Sequence, residues 1–104
     1  MKNEAAPTSL KGKKALVTGA NGGIGKATVE HFSKLGAEVL TTDIGEAFIG
    51  DCRTNYLKID LRCEKGLRSI GEWIEEEKPD ILFNNAAIFD MGSILEANLK
   101  QMEE

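Results

Sequence analysis

The feature that most limits what this chain can fold into is the run Thr18-Gly19-Ala20-Asn21-Gly22-Gly23-Ile24-Gly25. It follows an apolar stretch, Lys13–Thr18, and opens a segment with helical periodicity. Glycine at 19, 22, 23 and 25 exceeds what a tight turn needs. Without Cβ atoms the backbone bends sharply and lets a ligand come close. A strand–turn–helix junction of this kind offers free amides and the positive end of a helix to paired phosphates. Gly19, Ala20, Asn21, Gly22, Gly23 and Ile24 are therefore candidate pyrophosphate and ribose contacts. Gly25 is expected to bring the helix close to the first strand.

The rest of the chain repeats the same rhythm. Ile24, Ala27, Phe32 and Leu35 fit one helical stripe, and Gly36 suits the residue after the helix. Glu38–Thr42 reads as a second strand and Asn55–Ile59 as a third. Gly45–Thr54, between them, reads as a loop or one short helical turn. Leu67, Ile70 and Ile74 mark an amphipathic helix over Glu64–Glu77, which Pro79 stops. Asp80–Asn84 is a fourth apolar strand. Alternating strands and helices predict an α/β, Rossmann-type, doubly wound parallel sheet in three layers. Right-handed crossovers predict strand order 3-2-1-4, the N-terminal half of such a sheet.

Parallel strands turn their carboxyl ends toward the ligand crevice. Asp43, closing the second strand, is placed to accept hydrogen bonds from the adenosine ribose hydroxyls. Its charge also repels a 2′-phosphate. Its sequence neighbours Thr42, Ile44 and Gly45 carry no Lys or Arg, and neither do Ala20, Asn21 and Gly22. NAD is therefore expected rather than NADP. Asp60 and Leu61, after the third strand, offer a carboxylate for the adenine amino group and a main-chain amide for a ring nitrogen. Asn84-Asn85-Ala86-Ala87 ends the fourth strand with small residues that leave room for a second ribose, and an Asn there can bridge strand ends through both polar atoms.

Composition narrows the classes. The chain has 104 residues, 41% hydrophobic and 29% charged, with a net charge of -4. That describes one ordinary globular domain. The charges are interspersed, without the basic patch of a nucleic-acid surface. No apolar run approaches the roughly 18–20 residues of a membrane span. The N-terminus lacks the apolar core of a secretory signal. Cys52 and Cys63 lack metal-ligand spacing and read as reduced thiols of a cytoplasmic protein. Met1–Ser9 reads as a disordered lead-in, and residues 10–104 as one dinucleotide-binding domain cut short at its C-terminus.

These residues resemble the short-chain dehydrogenase/reductase family. The likeness rests on Leu10-x-Gly12-Lys13 leading into Ala15-Leu16-Val17-Thr18-Gly19, on Gly23-Ile24-Gly25, on Asp43, on Asp60-Leu61, and on Asp80-Ile81-Leu82-Phe83-Asn84-Asn85-Ala86. Gly19-x3-Gly23-x-Gly25 and Asn84-Asn85 favour the family's classical branch. Gly19-x2-Gly22-x2-Gly25 also suits its extended branch, and Ala87 stands where the classical branch usually has Gly. The resemblance implies an oxidoreductase that moves a hydride between nicotinamide and a small alcohol or ketone. It implies cofactor contacts from Gly19 to Ile24, from Asp43 with Ile44, from Asp60 and Leu61, and from Asn85, Ala86 and Ala87, with Ile88 near the nicotinamide. The full-length protein would be a candidate homo-oligomer.

The family's chemistry uses Ser, Tyr and Lys, the last two as Tyr-x3-Lys, together with an Asn. The chain's one tyrosine is Tyr56, and the Lys position falls on Asp60. Tyr56 is expected to pack in the core. His31 reads as a neutral helix or rim histidine, Trp73 as cover for the sheet, and Glu75-Glu76-Glu77 as a solvated face. Asn98 reads as the cap of a helix that Leu99–Glu104 only begins, so the catalytic half is expected beyond Glu104. The chain alone is then expected to lack turnover. A non-catalytic nucleotide-binding or regulatory module from a truncated isoform is the alternative, and a degraded product without a stable fold is a third.

Overall fold

The computed structural model describes residues 9–85. Its elements in chain order are β1 (Lys14–Thr18), α1 (Gly23–Lys34), β2 (Glu38–Asp43), β3 (Asn55–Lys58), α2 (Glu64–Glu77) and β4 (Ile81–Asn84). The four strands form one sheet in the order β3-β2-β1-β4, every neighbouring pair parallel. This is the predicted topology, with strand ends within one residue of those expected. The expected cap at Asn98 and its helix lie outside the described residues, as do the lead-in residues 1–8.

Alternation along β1 builds two cores. Val17 shares a cluster with Ala20, Val29 and Val39, onto which Phe32, Phe48 and Phe83 pack. Leu16 shares the other with Leu40, Ile59, Leu61 and Ile70, backed by Leu67, Trp73, Ile74 and Leu82. The first lies under α1 and the second under α2, so the helices cover opposite faces of the sheet. Burial on both faces accounts for the unbroken apolar run Ala15-Leu16-Val17 in the central strand.

The α1 stripe differs from the expected one. Gly25 and Val29 are its buried positions, and Phe32 is half-buried. Ile24 is 67% exposed and Ala27 is exposed. The reason is Gly25. A Cβ there would stand 2.2 Å from the Gly19 carbonyl oxygen, so the helix seats on the turn through the face centred on position 25. That seating turns Ile24 away. His31 is exposed in the last turn, a rim residue rather than part of the sheet-facing stripe. The chain then leaves α1 through Gly36 at φ 96°, and the Leu10 amide donates to the Leu35 carbonyl (2.6 Å).

The α2 stripe matches the reading. Trp73 covers the sheet, and Lys78 at φ 50° ends the helix just before Pro79. At the amino end of the sheet, Asp80 exchanges hydrogen bonds with the Lys14 backbone (2.9 and 2.7 Å), and the Lys14 ammonium donates to Glu77 Oε1 (3.0 Å). The Glu77 contact is the main reason that the Lys14 ammonium titrates above its ordinary value. Gly45–Thr54 forms an irregular loop without a helical turn.

Candidate dinucleotide site

Thr18, Asp43, Lys58 and Asn84 end the four strands along one edge of the sheet. The connection from β1 runs to β2 on one side, and the chain returns from β3 to β4 on the other. The crevice of such a sheet opens where those directions part, beside β1.

The turn from Gly19 to Gly22 is held from three directions. The Ala20 amide donates to the Thr42 carbonyl (3.2 Å) and the Gly22 amide to the Gly19 carbonyl (3.2 Å). The Asn21 amide donates to Asp43 Oδ2 (2.9 Å), and Asp43 Oδ1 accepts from its neighbour Ile44 (2.8 Å). From the other side, Asn85 Nδ2 donates to the Gly19 carbonyl (3.2 Å). The Asn85 amide donates to Thr18 Oγ1 (3.0 Å), whose hydroxyl in turn donates to Asn84 Oδ1 (3.2 Å). Asn85 thus bridges to the end of β1 through its backbone amide and its side-chain Nδ2, where the sequence suggested a bridge through both side-chain polar atoms. Ala86, Ala87 and Ile88 lie outside the described residues.

Helix α1 begins without a side-chain cap. Gly22 occupies the cap position, and the first turn carries no acid. The opening amides of an α-helix have no partner within it. Gly22 and Gly23 are exposed, as are the large side chains of Ile24 and Ile44 (67% and 53%). The mouth of the turn is therefore open, with apolar side chains on either hand.

The third-strand end is arranged differently. Asp60 is half-buried, and its carboxylate is gripped by Arg62 through Nε (2.9 Å), Nη2 (3.1 Å) and the Arg62 amide (2.9 Å). Those bonds hold the Asp60 carboxyl below its ordinary value. The Leu61 side chain is buried beneath α2, which leaves its main chain for contacts at the edge. Gly66 packs so tightly that a Cβ would stand 1.8 Å from the Asp60 carbonyl oxygen.

Four features escaped the sequence reading. Asn21 Nδ2 donates to the Ala47 carbonyl (3.0 Å), and Asn21 Oδ1 accepts from the Ile49 amide (2.8 Å), tying the glycine turn to the 45–54 loop. Tyr56 packs in neither core cluster. Its hydroxyl donates to the Gly45 carbonyl (2.6 Å), so it anchors the same loop. Burial first, then the Asp43 and Glu46 charges, raise its pKa. Lys58 stands opposite Asp43 in the β2–β3 register, a cation that the sequence neighbours of Asp43 do not reveal, and it pairs with Glu46. Gly66 repeats the role of Gly25. Pairing across strands could not be read from one strand's neighbours, although a glycine just inside a helix after a strand is a signal that could have flagged Gly66.

A four-stranded parallel sheet in the order β3-β2-β1-β4, flanked by helices, defines a Rossmann-like α/β fold. Residues 13–104 match the family described as short chain dehydrogenase, and the chain belongs to that family. It is 37% identical over 97 residues to dehydrogenase/reductase SDR family member 6 of Rattus norvegicus, covering 90% of this chain and 39% of that protein. It is 38% identical over 88 residues to the NAD-dependent glycerol dehydrogenase of Listeria innocua, covering 77% and 35%. Its fold superposes on L-sorbose reductase from Gluconobacter frateurii, solved with NADPH and L-sorbose, with TM-score 0.64 and 27% identity over 79% of this chain and 36% of that one. The chain thus spans about two fifths, or less, of the relatives it matches. Among the described residues no helix is long and apolar enough to cross a membrane, and no His, Cys, Asp and Glu cluster suits a metal.

Proposed function

We propose that this chain is the NAD-binding part of an oxidoreductase that moves a hydride between nicotinamide and a small alcohol or ketone. The observation that carries the reading is the bond from the Asn21 amide to Asp43. It brings the phosphate-type turn and the ribose-type carboxylate into direct contact at one strand edge. A dinucleotide has its pyrophosphate and adenosine ribose side by side, and the turn and the carboxylate are neighbours in the same way. The Ala20, Asn21 and Gly22 amides are bonded within the protein, so Gly19, Ala20, Asn21 and Gly22 would shape the turn, and the opening α1 amides of Gly23 and Ile24 would hold the phosphates. Asp43 with Ile44 would take the ribose, and Asp60 with Leu61 the adenine. Asn85, followed in sequence by Ala86 and Ala87, leads toward the nicotinamide.

The cofactor would supply the hydride acceptor or donor. The residues of this chain bind and orient it. Asp43 favours NAD, because a carboxylate accepts from free ribose hydroxyls and repels a phosphate. The chain contains no Tyr-x3-Lys pair, so residues 1–104 alone are expected to bind without turnover. We assign the protein to the cytoplasm on its cysteine usage. Calorimetric titration with NAD, read beside Trp73 fluorescence, tests the proposal. Saturable binding that weakens in Gly22→Ser, which meets no steric obstacle, supports it, and heat-silent, signal-silent titration of a folded sample refutes it.

A further inference from the structure

The corner around Asp43 holds more charge than Asp43 itself. Lys58 lies directly opposite Asp43 in the β2–β3 register. Cross-strand partners in a sheet project to the same face. The Lys58 ammonium is bonded to Glu46 Oε2, on the loop that leaves β2. Tyr56, two positions before Lys58 and on its face, donates to Gly45 and feels both the Asp43 and the Glu46 charges. Asp43, Glu46 and Lys58 therefore surround one corner, two carboxylates against one ammonium.

We propose that Glu46 is a specificity-determining residue that selects against a 2′-phosphorylated dinucleotide by occupying Lys58. The inference rests on the dinucleotide reading above and deepens it. A 2′-phosphate brings about -1.5 to -2 charge at neutral pH. Lys58 is the cation positioned to accept it. While Glu46 holds that ammonium, the arriving phosphate meets Asp43 unopposed and must also displace a carboxylate. Discrimination here comes from a repulsive element as much as an attractive one. Both partners of the pair are exposed (54% and 86%), so the bond is water-screened and Lys58 is free to turn once Glu46 is neutral.

Titration calorimetry of the full chain with NAD and with NADP provides the test. The variants are Glu46→Gln, Lys58→Gln, the double variant, and Glu30→Gln on exposed α1 as a control for net charge. Glu46→Gln is expected to narrow the NAD:NADP affinity ratio by about two- to fivefold, the upper part of the range an exposed ion pair supplies. Lys58→Gln should not narrow it, and the double variant should return toward the parent ratio. A ratio within about twofold of the parent in Glu46→Gln overturns the proposal. So does an equal narrowing in the double variant or in Glu30→Gln. If the parent binds neither dinucleotide, the function reading falls and this inference with it. A parent that binds with a ratio indifferent to Glu46 overturns the inference alone.

Discussion

The two strand-to-helix junctions, β1–α1 and β3–α2, share a packing device and differ in how the helix starts. In each, a buried glycine lets the helix press on a carbonyl at the strand end: Gly25 on Gly19 and Gly66 on Asp60. At α2 one opening amide has a side-chain acceptor. The Cys63 Sγ accepts from the Gly66 amide (3.4 Å), and Glu64 places an anion in the first turn. At α1 the cap is Gly22, with no side-chain acceptor and no acid. One helix terminus carries a side-chain cap and a first-turn anion, and the other carries neither. Close packing alone therefore does not set the two junctions apart. What sets the β1–α1 junction apart is close packing combined with a helix end that no side chain caps, and the proposed function places the phosphates there.

The comparison breaks most visibly at the glycines. Gly25→Ala and Gly66→Ala each place a Cβ against backbone, where no side chain can swing aside, and each should destabilise by about 3 kcal/mol. Denaturant midpoints measure this. Nucleotide affinity should separate them, because the proposed function puts the phosphates on the α1 amides. At matched folded fraction, Gly25→Ala should lose far more affinity than Gly66→Ala. Equal losses would mean that the α2 junction is part of the site as fully as α1.

Asp43→Asn comes next. The carboxylate accepts charge-assisted bonds from the Asn21 and Ile44 amides, and the neutral amide keeps the shape without the charge. A loss of about tenfold in NAD affinity, about 1.4 kcal/mol, is expected from titration. An unchanged affinity would detach Asp43 from the ribose.

Asp60 gives the second junction a pH dependence. Arg62 holds its carboxyl below the ordinary 3.8. A group depressed on folding contributes stability above its unfolded value, and that contribution is lost as pH falls through the folded value. Parent and Asp60→Asn should therefore differ in melting temperature near neutral pH and converge below about 3.8, with a small difference because Arg62 is exposed. Curves that stay parallel through acid would show that the Asp60–Arg62 pair does not contribute.

Most of the fold was legible because it rests on local pattern. The glycine turn, the α2 stripe Leu67-Ile70-Ile74 and the unbroken β1 run each announce themselves within a few residues, and strand order follows from crossover handedness. What the sequence hid is what depends on contacts between elements. Ile24 looked like a stripe residue because periodicity places it there. The close seating of Gly25 on Gly19, a tertiary constraint, rotates the helix so that Ile24 faces out. Tyr56 looked like core because aromatic strand residues usually are, yet its hydroxyl found the Gly45 carbonyl. Asp43 looked free of cations because Lys58 is its neighbour only across the sheet.

The smallest expected effect is also the sharpest test of the contrast between the helix ends. Serine is a better cap than cysteine or glycine, since its hydroxyl accepts well from the amides of the first turn. Cys63→Ser should raise stability by a few tenths of a kcal/mol, since a hydroxyl replaces a weak sulfur acceptor, and leave nucleotide affinity alone, because the phosphates are proposed to sit at α1. Gly22→Ser meets no steric obstacle: φ is -77°, and the nearest atom to a new Cβ is 3.6 Å away. It should stabilise by a similar few tenths, yet weaken nucleotide binding, because its hydroxyl competes for the amides that the phosphates would use. Chemical melts paired with NAD titrations read both quantities. If Gly22→Ser gained stability and kept its affinity, the open end of α1 would not be where the phosphates sit.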